Sequence, residues 1–247
     1  LNGSSNFVLS KVFNDGMTYA DALRLATDAG FVESDPSLDL DGWDALYKLV
    51  ILAVHAFGTY VPPSDIFCYG ISNMNDHDIS FANEKGRRVK LVGHVEKLSD
   101  GQMTMCVMPQ LLSRNKYIYS VEDEFNGVVI KGQYYDKQFM FGRGAGGFPT
   151  ASAVLSDITA CLYDYRYAYK KRTDSTMPSY TDDVVFRIYM RYNTPHDLSL
   201  LHFEEISESY TSDHSNFVVG RVSLASLRAA RDELHRRGIF LAAYPRD

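Results

Sequence analysis

Gly30-Phe31-Val32-Glu33-Ser34-Asp35-Pro36-Ser37-Leu38-Asp39-Leu40-Asp41-Gly42-Trp43-Asp44-Ala45-Leu46-Tyr47-Lys48 sets five carboxylates within residues 33–44 and closes on one lysine. The stretch is too acidic for a core and too apolar for a solvated tail. Trp43, Leu46, Tyr47, Val50 and Ile51 recur at helical spacing, which predicts a helix from Asp41 to Phe57, ending before Gly58. Asp44 and Lys48 stand four apart on one face of it. Pro36 blocks a helix around itself and biases Asp35 toward extended backbone, leaving Glu33 and Asp39 on a loop that feeds the helix. The implied site is concave and acidic, with one ammonium. On spacing alone, an Asp and a Lys four apart are more often a solvated pair worth a few tenths of a kcal/mol. A calcium loop is excluded, because with Gly42 at its sixth position the first is Ser37 and the twelfth is Lys48, where a bidentate glutamate belongs.

The 247 residues, 45% of them hydrophobic, suffice for one or two domains with a sizeable core. The longest apolar run, Leu49 to Phe57, is interrupted by His55 and is about half a membrane span, so no transmembrane or signal segment is expected. Cys68, Cys106 and Cys161 are far apart and lack metal spacing, which suits a reducing cytosol. The seven histidines form no spaced set, and no metal is expected. Net charge is −6, and the first fifty residues hold eight acids against three bases, which argues against nucleic acid as a partner of that half. Lys170-Lys171-Arg172 reads as part of a polar connector. Arg228, Arg231, Arg236 and Arg237 line a helix ending at Gly238, where cations complement the dipole.

Thr18 is placed to cap a helix through Ala29. Strands are expected at Arg88 to Leu98, Gln102 to Met108, Val128 to Tyr134 and Lys137 to Phe141, forming a mixed or antiparallel sheet with helices on one face. Gly142, Gly144 and Gly147 then satisfy a dinucleotide fingerprint ahead of a helix from Thr150 to Tyr163. No strand with an acidic end follows on schedule, so the motif does not mark a Rossmann unit, and a tight structural turn explains it equally. Residues 170–183 read as a linker. Beyond it come strand Val184 to Tyr192, helix Asp197 to Ile206, strands Glu208 to Thr211 and Phe217 to Ser223, helix Leu224 to Arg237 and strand Ile239 to Tyr244. This βαββαβ order is ferredoxin-like, making the whole α+β.

Four blocks carry a resemblance: Leu1-Asn2-Gly3-Ser4-Ser5-Asn6-Phe7-Val8-Leu9, Glu33-Ser34-Asp35-Pro36, Gly42-Trp43-Asp44-Ala45-Leu46-Tyr47-Lys48, and Gly142-Arg143-Gly144-Ala145-Gly146-Gly147-Phe148-Pro149-Thr150-Ala151-Ser152-Ala153. In that order they resemble the substrate-binding half of homoserine dehydrogenase, over about residues 1–165, with weaker echoes at Gly70-Ile71, Asp78 and Val89-Lys90-Leu91. The expected division is a substrate-binding and dimerisation domain at 1–169, the linker, and an ACT-like regulatory domain at 184–247.

The resemblance implies NAD(P)-dependent interconversion of L-aspartate 4-semialdehyde and L-homoserine, in threonine and methionine biosynthesis. Lys48 would act at the carbonyl oxygen with Asp44 beside it. Glu33 would hold the substrate ammonium, Asp39 would supply a second carboxylate, and Gly3, Ser4 and Ser5 would line the substrate. Gly144, Ala145, Gly146 and Gly147 would face the cofactor. Family members carry a nucleotide-binding domain ahead of the first block, so the expectation is a part of the enzyme, inactive and without bound cofactor by itself, and a homodimer. In the ACT-like segment His196 stands where an effector loop has glycine, and its β-carbon would crowd a ligand, so threonine binding is expected to be weak or absent. The alternative of another class is a non-catalytic amino-acid-sensing or dimerisation fragment.

Overall fold

The computed structural model describes residues 1–32, 35–144, 146–166 and 177–246. The helix expected from Asp41 begins two residues later as α4 (Trp43–Phe57), and Asp39, expected on a loop, lies in a short helix, α3 (Ser37–Leu40), that starts directly after Pro36. Gly42 between them adopts φ 91°, a left-handed turn that an L-residue resists. Two helices precede this stretch. α1 (Gly3–Asn14), which sequence patterning did not announce, is capped by Asn2, and α2 (Tyr19–Asp28) is capped by Thr18 as expected. α5 (Asp76–Glu84) starts with a capping box from Asn75 and Asp78.

The strands are β1 (Phe67–Cys68), β2 (Arg88–Lys97), β3 (Met103–Leu112), β6 (Val185–Tyr192), β7 (Phe203–Thr211), β8 (Asn216–Ser223) and β9 (Phe240–Ala243), in one sheet of order β1-β3-β9-β6-β8-β7 with β2 also on β3. β4 (Phe125–Lys131) and β5 (Lys137–Arg143) form a separate antiparallel hairpin, not part of the main sheet as expected. α6 (Gly147–Leu162) follows the hairpin, starting three residues before Thr150.

β3 is buried along its whole length. Met103, Met105 and Val107 pack with Leu46, Leu49 and Ala53 of α4, while Cys106 and Met108 pack with Leu227 and Leu234 of the helix α7 (Leu224–Arg236). Helices therefore cover both faces of the sheet, not one. The segments before and after the expected linker are joined across it, since β9 pairs with β3 at Gln110↔Ala243 and with β6 over four residues. The described end of the linker is itself attached to β3: Met103 N donates to Ser179 O and Thr181 N to Met103 O, both 2.8 Å. Residues 167–176, with the Lys170-Lys171-Arg172 cluster, lie outside the described residues.

In the last part of the chain, the expected helix from Asp197 to Ile206 is instead a 3-10 turn over Pro195–Leu200, and the next strand begins at Phe203. Thr194 and Asp197 close a capping box at the start of that turn, Asp197 accepting from Thr194 N at 2.8 Å.

The two parts are also tied by a buried ion pair. Arg191 of β6 donates through Nε to Asp78 of α5 at 3.0 Å and through Nη2 to Asn73 O at 2.6 Å, and the Tyr189 hydroxyl donates to Asp78 at 2.9 Å. Removing one partner strands a charge away from water. Arg191→Met should cost about 3–5 kcal/mol in urea unfolding; a loss under about 1 kcal/mol would place this pair among weak surface bridges.

Candidate active site

Asn2, to which the resemblance gives no role, is the residue on which the site is assembled. Its backbone is extended (φ −132°, ψ 122°), its Oδ1 accepts from Ser5 N at 2.8 Å to cap α1, and the side chain is buried. That geometry leaves the Nδ2 group free to donate twice, to Asp39 Oδ1 at 2.6 Å and to Asp44 Oδ2 at 2.9 Å. Asp44 Oδ2 also accepts from Lys48 Nζ at 2.6 Å, and Lys48 donates to Leu1 O at 3.0 Å. Half-exposed Lys48 is thus held toward α1 by a carboxylate and a carbonyl, with its ammonium open to solvent.

The turn carrying Asp39 is closely supported. Ile71 N donates to Leu40 O at 2.7 Å, and a β-carbon at Gly70 would sit 1.8 Å from that same oxygen, so only glycine admits this approach. The Cys68 thiol lies under the turn, donating to Asp41 O at 3.4 Å, and burial pushes it up to about 12, leaving an inert thiol.

Of the expected site residues, the structure brings together Asp39, Asp44 and Lys48. Gly3 and Ser5 are also beside them, Gly3 opening α1 and Ser5 serving as the donor to Asn2; Ser4 is partly buried in the same turn. Glu33 lies outside the described residues. The glycine motif is only partly a loop, because Gly142 and Arg143 complete β5, and Gly146 (φ 111°) precedes α6 directly at Gly147. Ala145 is outside the described residues. A β-carbon at Gly144 would meet Asn126 Nδ2 at 2.2 Å. The motif reaches the site through the hairpin base: Phe125 pairs with Arg143, Asn6 Nδ2 donates to Asp123 O at 2.9 Å, and a β-carbon at Gly3 would sit 3.3 Å from Glu124 O. Among the described residues no group of three His, Cys, Asp or Glu side chains could hold a metal ion. No helix among the described residues is long and apolar enough to cross a membrane.

With this geometry in place, comparison with known proteins shows what kind of chain carries it. Residues 1–159 match the homoserine dehydrogenase family model. Homoserine dehydrogenase of Corynebacterium glutamicum is 39% identical over 180 residues, which cover 71% of this chain and 40% of that protein. A homoserine dehydrogenase structure from Thiobacillus denitrificans superposes at a TM-score of 0.77 and 25% identity, over 99% of this chain and 62% of that one. A hyperthermophilic archaeal homoserine dehydrogenase in complex with NADPH matches at a TM-score of 0.54 and 31% identity, over 67% of this chain and 46% of that one. The chain belongs to the homoserine dehydrogenase family, a family of oxidoreductases, and spans about two fifths of the length of the curated relatives it matches.

Behind the site, Lys90 of β2 is buried, donating to Asn6 Oδ1 at 2.7 Å and to Val121 O at 2.5 Å. It fastens α1 to the segment leading into the hairpin. Burial lowers its pKa to about 8. A neutral amine still has two N–H bonds, enough for both acceptors. An unfolded lysine keeps its proton to about 10.5, so between pH about 8 and about 10.5 the unfolded chain binds more protons and Lys90 adds stability as pH rises. The stability difference between the wild type and Lys90→Met should therefore move in the wild type's favour across this window in urea unfolding. A difference constant with pH would show that Lys90 stays charged in the fold.

Proposed function

We propose that the chain is the substrate-binding and catalytic part of a homoserine dehydrogenase, interconverting L-aspartate 4-semialdehyde and L-homoserine with NAD(P). The observation that carries this is the meeting of two sequence-remote segments at one amide: Asn2 holds Asp39 and Asp44, and Asp44 holds Lys48. A bound nicotinamide would supply the hydride chemistry at the carbonyl carbon. Lys48 supplies the proton to the resulting alkoxide oxygen and takes it back in the reverse direction. Asp44 keeps Lys48 pointed at that oxygen, and Asp39, with Glu33, meets the substrate ammonium. Ser4 and Ser5 border the amino acid at the start of α1. Gly144, Ala145, Gly146 and Gly147 face the cofactor, and the positive φ of Gly146 at the entrance to α6 suits a backbone approach to a phosphate or ribose.

Two exposed surfaces support a larger assembly. α6 buries none of its residues, with Phe148 93% exposed and Leu155, Ile158 and Leu162 also open, and the hairpin exposes Val129, Met140 and Phe141. Apolar surface of this extent marks packing partners. The reading assigns a nucleotide-binding domain and a second copy of the chain to them, makes the isolated chain inactive, and sets the enzyme in the cytoplasm in threonine and methionine biosynthesis. The strand order β9-β6-β8-β7, antiparallel throughout, is that of a ferredoxin-like sheet, with a 3-10 turn in place of its first helix, and it supports an ACT-like regulatory role for residues 184–247. His196 in its first loop argues for weak threonine binding.

The test is a chain joined to a nucleotide-binding domain of the family. Lys48→Ala should lower homoserine turnover by about 10²–10⁴-fold with folding intact, and light scattering should give a dimer mass. Turnover within about twofold of the unsubstituted enzyme would reduce the Asp44–Lys48 pair to a surface salt bridge.

A further inference from the structure

One more side chain reaches the acidic turn, and it comes from the far end of the chain. His235, in the last turn of α7, has its Nε2 3.4 Å from Asp41 Oδ1 and 3.3 Å from Ser72 Oγ. Ser72 donates to the same Asp41 oxygen. The trio is not a hydrolytic triad. With its one proton given to Asp41, Ser72 can only accept from Nε2–H, so the imidazole is not its base. What the contact does is hold Asp41, which lies between the two site carboxylates Asp39 and Asp44.

The end of α7 is fixed from two sides. A helix C-terminus leaves carbonyls without intrahelical partners. Here Asn73 Nδ2 donates to His235 O at 3.2 Å and the Tyr69 hydroxyl to Ile239 O at 2.5 Å, both from the segment that supports the acidic turn. On the other side Asn193 Nδ2 donates to Arg237 O at 2.6 Å, and Arg237 Nη1 donates to buried Asp197 at 2.8 Å. One helical turn is thereby bonded both to the 193–197 loop and to the segment beneath Asp39–Asp44.

We infer that His235 is a positioning residue for the Asp39–Asp44 turn, and that the last turn of α7 carries displacements of the 193–197 loop to it. The inference rests on the proposed function only for what that turn does; the coupling stands on the contacts themselves.

Amide hydrogen exchange of the 247-residue chain tests it. The reporters are the amides of Leu40, Asp41 and Gly42, which donate to Pro36, Ser37 and Asp39 carbonyls. His235→Ala should speed their exchange about threefold or more, the scale of coupling between linked sites. His235→Gln, which returns an N–H donor near the Nε2 position, should restore them. Arg237→Ala touches neither Asp41 nor Ser72, yet should speed the same amides, and should add nothing to His235→Ala. Unchanged reporters in His235→Ala, no rescue by glutamine, or an Arg237→Ala effect confined to α7 and residues 193–197 would overturn the inference. Exchange needs no substrate, so failure of the wild-type chain to bind L-homoserine would count against the proposed function alone, and unchanged reporters against the coupling alone.

Discussion

β3 is the constraint from which the rest follows. A ten-residue strand buried at every position must satisfy its backbone groups inside the protein and cover both faces with apolar side chains. It does so with β1, β2 and β9 as strand partners, α4 on one face and α7 on the other. Because β9 comes from the end of the chain, residues 184–246 complete the sheet that residues 1–112 begin. The start of α4 and the end of α7 then meet near the end of β1, where Gly42 packs against Cys68 and His235 reaches Asp41.

The site is built by a different economy, in which one small amide takes the place of a core. Asn2 caps a helix with its oxygen and bridges two carboxylates with its nitrogen. Asp39 and Asp44 would otherwise repel each other across the turn, and two N–H donors from one group hold both. Lys48 then shares the Asp44 oxygen with Asn2, so its position is tied to α1 as well as to its own helix. Lys90 anchors that first helix from below.

Much of this was legible in the sequence. The Asp44–Lys48 pairing followed from helical spacing, and the Thr18 cap and α7 followed from local signals whose physics is local. The helix at Gly3–Asn14 was missed because its weakly amphipathic opening is polar and glycine-led; the Asn2 N-cap three residues before Ser5 was the available signal. The start of α4 fell within two residues of the expected Asp41, while the short helix at Ser37–Leu40 was missed because four residues after a proline carry no helical period. The helix expected after Asp197 failed because its apolar residues, Leu198, Leu200 and Leu201, fit one short turn as well as a helix. The shared sheet depends on β3–β9 pairing between residues 133 positions apart, which no local pattern encodes.

The central claim is that Asn2, Asp39, Asp44 and Lys48 form an amino-acid site. Its most direct measurement is a titration of the isotopically labelled chain with L-homoserine, observed at the Asn2 side-chain amide and the Lys48 ammonium. The account predicts saturable shifts at both in the unsubstituted chain, with the Lys48 shift lost in Asn2→Ala. Shifts that leave these two groups unmoved, or that persist unchanged in Asn2→Ala, would contradict it.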